Sequence, residues 1–173
     1  MSLKGKKVAI LAGPDYEDLE LQYPRIRLIE AGAEVTVLAS TKEPLKGKKG
    51  LPVQPDMTFE EAEPVRFDAV VIPGGWAPDR VRRDSRAVSL VKRLDDEGKI
   101  VASICHGAQV LISAKTLKGR RLPCVSAIKD DVVNAGADYV DSAVVRDRNL
   151  ITSRVPDDLP DFCREIINAL ASQ

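Results

Sequence analysis

Short apolar runs alternate with helical stretches along this chain, and that alternation constrains the fold more than any other feature. Val8-Ala9-Ile10-Leu11, Val35-Thr36-Val37-Leu38, Asp68-Ala69-Val70-Val71-Ile72 and Ile100-Val101-Ala102-Ser103-Ile104 are near-continuous apolar segments of strand length. Strands apolar on both sides of the pleat are buried on both faces, as in parallel sheets covered by helices. Residues 17–31 read as a helix with Leu19, Tyr23, Ile26 and Ile29 on one apolar face, closed by Gly32. Residues 85–97, closed by Gly98, and 108–114 read as two more. Pro156-Asp157-Asp158 opens a terminal helix whose apolar side is Phe162, Ile166, Ile167 and Leu170. Lys46 to Gly50 reads as a hairpin turn, and Thr58 with Glu61 spells a capping box for a short helix. Strand-like segments at 138–140, 143–145 and 150–152 complete the set. The pattern predicts one α/β domain over residues 1–173. Its architecture is flavodoxin-like: a doubly wound, mostly parallel sheet with helices on both faces.

Charge and cysteine usage exclude several function classes. Among 173 residues, 26 Lys and Arg balance 26 Asp and Glu, so the formal net charge is zero. No electrostatic footprint for nucleic acid or for an anionic membrane is evident, and a neutral chain self-associates easily. No apolar run approaches the ~18 residues of a spanning helix. The start of the chain runs into a strand without a signal-peptide pattern. Cys105, Cys124 and Cys163 are odd in number and spaced unlike a disulfide framework, which fits a reducing compartment. The expected location is cytoplasmic. His106 is the sole histidine, so zinc sites built on several histidines are excluded, and neither metal nor other cofactor is expected.

In doubly wound sheets, ligands bind beyond the carboxyl ends of the strands. Three polar features fall there. Glu17 follows the first strand, Gly74-Gly75 ends the third and Cys105-His106-Gly107 ends the fourth. Cys105 occupies a strand-to-helix junction, the place of a nucleophile elbow, where the following helix N-terminus is expected to favour thiolate and lower the thiol pKa. Cys124 and Cys163 read as buried and inert. His106 admits two readings, a surface histidine or a partner of the sulfur. Side chains at i and i+1 diverge, so the second reading requires unusual backbone geometry. Gly74-Gly75 is either an ordinary turn or, through the N–H of Gly75 together with that of His106, an oxyanion hole. Glu17 either serves the helix dipole or points into the crevice and hydrogen-bonds the sulfur. Asp79, in Trp76-Ala77-Pro78-Asp79, either caps a short helix or supplies an acid.

Tyr16-Glu17-Asp18, Pro73 to Asp79 and Ile104 to Gln109 resemble motifs of the PfpI family of intracellular proteases, within the ThiJ/PfpI superfamily. The stretches Lys129 to Gly136 and Ser153 to Leu159 match it too, so the resemblance covers nearly the whole chain. It implies a class I glutamine amidotransferase-like fold without a cofactor. It implies Cys105 as nucleophile, Glu17 as the buried glutamate on its sulfur, and His106 as the adjacent histidine. Gly75 and His106 would donate the oxyanion-hole N–H groups. Asp79 stands where members carry an acid, often glutamate, that reaches the histidine of a neighbouring subunit. The implied partners are other copies of the chain, as a dimer or higher assembly such as a hexamer, and a small-molecule or peptide substrate. Ala108 replaces a proline common in the family. The implied activity is a cysteine-dependent hydrolase on peptide amides or on glyoxal- and methylglyoxal-derived adducts. The alternative is a non-turnover redox or stress-response protein in which Cys105 is oxidised.

Overall fold

A computed structural model describes residues 2–173. Seven strands form one sheet in the order β10-β11-β7-β6-β1-β2-β5. At its centre lie β1 (Lys7–Leu11), β6 (Ala69–Ile72) and β7 (Ile100–Ile104), flanked by β2 (Glu34–Ala39) and β5 (Met57–Thr58) on one side. On the other side are β11 (Leu150–Ser153) and β10 (Val144–Asp147). Every neighbouring pair is parallel except β10 with β11. Two small sheets stand apart: β3 (Leu45–Lys46) with β4 (Pro52–Val53), and β8 (Arg121–Leu122) with β9 (Asp138–Tyr139).

The helices are α1 (Asp18–Glu30), α2 (Ala77–Val81), α3 (Ser85–Asp96), α4 (Ala108–Ser113), α5 (Lys129–Asn134) and α6 (Leu159–Ala171). Strand alternation splits the core into two. Val8, Ile10, Val71 and Ala102 face α1 and α6, where Leu21, Leu28, Phe162 and Ile166 pack. Ala9, Leu11, Val70 and Val101 face α3 and α4, where Leu90, Val91 and Leu111 pack. The expected fold class and the apolar side of the terminal helix are therefore observed. The strand order reverses beside β1, whose parallel neighbours are β2 and β6, and in such sheets the crevice lies there, beyond the strands' carboxyl ends.

Two local expectations need correction. Of the expected α1 face, Tyr23 packs partly against the core, whereas Leu19, Ile26 and Ile29 are turned outward, 49%, 59% and 48% exposed. The buried side is Glu20, Leu21, Pro24 and Leu28. The capping-box bonds of Thr58 and Glu61 do form, Thr58 N to Glu61 Oε2 at 2.8 Å and Glu61 N to Thr58 Oγ1 at 3.1 Å. They close a turn, however, and no helix follows. No helix among the described residues is long and apolar enough to cross a membrane.

Candidate active site

β7 ends at Ile104, and the chain turns sharply through Cys105, whose φ is +60°. A non-glycine residue in the left-handed region costs roughly 1–2 kcal/mol and persists only where the surroundings enforce it. Here the enforcement is visible. A Cβ on Gly107 would collide with the Ile72 carbonyl and lie 2.9 Å from Ser103 Oγ, so the backbone can double back only because residue 107 is glycine. The turn brings the adjacent side chains together, with Cys105 Sγ 3.4 Å from His106 Nδ1. The unusual backbone geometry that the Cys-His pairing requires is thus present. Cys124 and Cys163 are buried, as expected, and all three thiols are free.

The second wall is the loop after β6. Gly75 has φ +76° and forms an isolated β-bridge with Tyr16. The Glu17 N–H donates to the Gly74 carbonyl at 3.1 Å and the Trp76 N–H to the Asp15 carbonyl at 2.9 Å. These bonds hold the loop over the elbow so that the N–H groups of both Gly75 and His106 act on the Cys105 sulfur. Asp18 adds a further clamp. Its buried carboxylate accepts from Lys49 N at 2.9 Å and Leu51 N at 2.8 Å, fixing the β3–β4 turn beside the site.

The structure places Glu20, rather than Glu17, against the sulfur. Glu17 is the N-cap of α1, its Oε2 accepting from Leu19 N at 2.9 Å and Glu20 N at 3.0 Å. Its Oε1 lies 3.9 Å from Lys49 Nζ. Glu20, fully buried one turn later, accepts the Gly74 N–H on Oε2 at 2.7 Å. Its Oε1 is buried without a hydrogen-bond partner, and the carboxyl and the Cys105 sulfur act directly on each other. Periodicity alone makes the outward stripe of Leu19, Ile26 and Ile29 read as the core face, which leaves Glu20 off it. On the true core face, Glu20 precedes Pro24 and Leu28 at helical spacing. A carboxylate in an apolar stripe is the signal that would have found it.

Electrostatics follow from this burial. Desolvation raises the Glu20 carboxyl to about 7, and the Gly74 N–H opposes the shift. Desolvation, then the Glu20 charge, pushes the Cys105 thiol up to about 12, against the pull of the His106 and Gly75 N–H groups. The expected lowering of the thiol pKa is therefore reversed: the helix start cannot offset loss of water beside a carboxylate. His106 is held below its ordinary pKa, first by burial and then by Lys48, so it is neutral near pH 7.

Beside His106 runs a groove of about 420 Å³ bordered by Trp76, Asp79, Gln109 and Ile128. Asp79 is exposed in the first turn of α2, whose N-cap is Trp76, and its Oδ2 accepts from Arg83 Nη2 at 2.5 Å. A roomier cleft of about 590 Å³ near Lys92 and Lys115 is lined by neither cysteine nor histidine. No group of three or more His, Cys, Asp or Glu suited to a metal ion occurs among the described residues.

The sequence model of the DJ-1/PfpI family matches residues 6–169. The chain belongs to the DJ-1/PfpI family. It is 50% identical, over 95% of its length and 99% of the relative's, to a protein of Pyrococcus abyssi named a deglycase. It is 44% identical to protein/nucleic acid deglycase 2 of Escherichia coli, covering 96% of this chain and 99% of that one. Among solved structures, Drosophila melanogaster DJ-1beta superposes with a TM-score of 0.92 at 30% identity, covering all of this chain and 92% of that one. In this DJ-1/PfpI chain, the elbow, the glycine loop and the buried carboxyl meet at the carboxyl edge of the sheet.

Proposed function

We propose that this chain is a cysteine-dependent hydrolase of the deglycase type, with Cys105 attacking the carbonyl carbon of glyoxal- or methylglyoxal-derived adducts. One observation carries the reading: a carboxyl raised to about 7 lies against a thiol raised to about 12, under two N–H groups. Between those values the pair shares one proton. As the carbon–sulfur bond forms, the carbonyl π pair moves to oxygen and the thiol proton passes to Glu20. Gly75 and His106 N–H groups receive the oxyanion. The nitrogen leaves from the neighbouring carbinol carbon, whose O–H becomes C=O as the C–N bond breaks; the nitrogen gains the proton stored on Glu20, and neutral His106 relays the carbinol proton to the oxyanion on the open side. Water adds to the aldehyde so formed, and the sulfur-bearing carbon returns to C=O as the thiol leaves with its proton, which frees the hydrated dicarbonyl. The deglycase names of the Pyrococcus abyssi and Escherichia coli relatives support this substrate class over peptide amides.

Self-association belongs to the same reading. The outward stripe of Leu19, Ile26 and Ile29 is the kind of exposed apolar patch that marks a contact between copies. With Nδ1 of His106 turned to the sulfur, Nε2 is left for an acid, which we assign to Asp79 of a neighbouring copy.

The test is turnover of methylglyoxal adducts and of a peptide amide by the wild type, Cys105→Ser and Glu20→Gln. The expected result is adduct turnover that falls at least about 10³-fold in Cys105→Ser. Undiminished turnover in Cys105→Ser refutes the nucleophile, and turnover of the peptide alone refutes the substrate class. A redox role is the second reading, favoured by a Glu20 proton poised to hydrogen-bond a sulfinate. His106→Ala separates the two, abolishing turnover while sparing oxidation of Cys105.

A further inference from the structure

The turn between β3 and β4 is stapled to the segment that joins β1 to α1. Asp15 N donates to the Lys46 carbonyl at 3.0 Å, and Lys48 N to the Tyr16 carbonyl at 2.9 Å. Asp18 spends both carboxylate oxygens on the N–H groups of Lys49 and Leu51. A Cβ on Gly47 would lie 2.5 Å from that carboxylate, so only glycine lets the turn approach so closely. On its other side Tyr16 is bridged to Gly75. Lys48, Tyr16 and Gly75 are thus three neighbouring backbones. At ~5 Å per step, the Lys48 backbone lies about 10 Å from the oxyanion-hole glycine.

Three cations stand at this mouth, and two are engaged. Lys49 Nζ lies 3.9 Å from Glu17 Oε1, and Arg80 Nη2 lies 3.2 Å from Asp15 Oδ2. Lys48 is exposed and has no carboxylate partner among the described residues. Its charge nonetheless acts on both Glu20 and His106, the two groups that meet the Cys105 sulfur. Neither occupies the ammonium: Glu20 is buried on the Gly74 N–H and the sulfur, and His106 is neutral near pH 7. Lys48 does not border the groove beside His106, where Asp79 of a neighbouring copy is seated in the proposed assembly. An unpaired surface lysine is ordinarily only solvated. A lysine whose backbone is held in register beside the reacting thiol is a cation placed there. An ammonium is a compact point charge with three donors, suited to a carboxylate or phosphate oxygen. Beside ionised Glu20, which repels an anion, it is the group that admits an anionic substrate.

Resting on the deglycase reading, we propose that Lys48 forms an anion subsite beside Cys105 that receives a carboxylate or phosphate carried by the adduct, making Lys48 a specificity-determining residue. Alkylation of Cys105 by iodoacetate and by iodoacetamide, followed on its peptide by mass spectrometry at pH 8, reads the subsite without turnover. Both reagents meet the same thiolate, so the ratio of their rates is independent of the thiol pKa. Lys48→Gln should lower the iodoacetate-to-iodoacetamide ratio about 5-fold, the effect of one unit charge a few ångströms away in water, and Lys48→Arg should keep it. Lys49→Gln should leave the ratio within about 2-fold of the wild type. A ratio unchanged in Lys48→Gln overturns the proposal. Equal falls in the Lys48 and Lys49 variants also overturn it, because they show a diffuse field and no subsite. A wild-type ratio that rises in Asp79→Asn and is unmoved by Lys48→Gln gives Lys48 to the acid of a neighbouring copy, which overturns it as well. The anion is named by kcat/KM for methylglyoxal-treated N-acetylcysteine against its amide, and guanosine monophosphate against guanosine. Lys48→Gln should cut the preference for the anionic member about 5-fold, in the first pair for a carboxylate and in the second for a phosphate. An unchanged preference in both pairs overturns the subsite. A wild type that turns over none of the four refutes the deglycase reading, and the alkylation ratio still decides the subsite.

Discussion

Glu20 carries the largest consequence at the residue scale, because its carboxyl is raised in the folded state from 4.5 to about 7. Between those values the native state binds a proton that the unfolded chain has released, so stability falls as pH rises through this window. The loss amounts to about 3 kcal/mol by pH 8. Glu20→Gln keeps an acceptor for the Gly74 N–H and abolishes the titration. Its denaturant midpoint should exceed that of the wild type at pH 8 and approach it at pH 4.5. Equal midpoints at both values would contradict a buried, titrating Glu20. Glu17→Ala should instead cost about 1 kcal/mol at pH 8, as loss of an N-cap does, and leave the Cys105 thiol titration unchanged. A shifted thiol titration in Glu17→Ala would return Glu17 to the sulfur.

At the scale of elements, the elbow and the glycine loop work as a pair. A Cβ on Gly74 would sit 2.5 Å from Glu20 Oε2 and 2.8 Å from Cys105 Cβ, so only glycine lets the loop, α1 and the elbow converge. Gly74→Ala should stay folded, destabilised by about 1–3 kcal/mol, and lose its thiol–carboxyl coupling. Thiol titration by iodoacetamide labelling checks this, and a wild-type titration would refute the tight convergence. Much of this assembly was legible in the sequence. The β1, β6 and β7 runs announced buried parallel strands, and Cys105-His106-Gly107 after β7 announced the elbow. The face of α1 was not legible, because Leu19, Ile26 and Ile29 form as regular an apolar stripe as Leu21, Pro24 and Leu28. Periodicity marks apolar stripes without saying which one meets the core and which meets another molecule. Reading the wrong stripe hid Glu20. The rise in the thiol pKa was hidden for the same reason: it depends on how deeply Cys105 and Glu20 are buried together.

At the scale of the whole molecule, the two cores of the sheet leave the α1 stripe uncovered. Ile26→Glu with Ile29→Glu should shift sedimentation toward the 18.8 kDa monomer without altering circular dichroism. An unchanged assembly would place the contact elsewhere. The sheet delivers a thiol, a carboxyl and two N–H donors to one crevice, and in the proposed mechanism the ionised carboxylate is the base for the thiol. The pH dependence of kcat/KM for adduct removal tests this most directly. The expected result is a rise through an apparent pKa near 7 that disappears in Glu20→Gln, along with most of the activity. The same rise surviving in Glu20→Gln would contradict it.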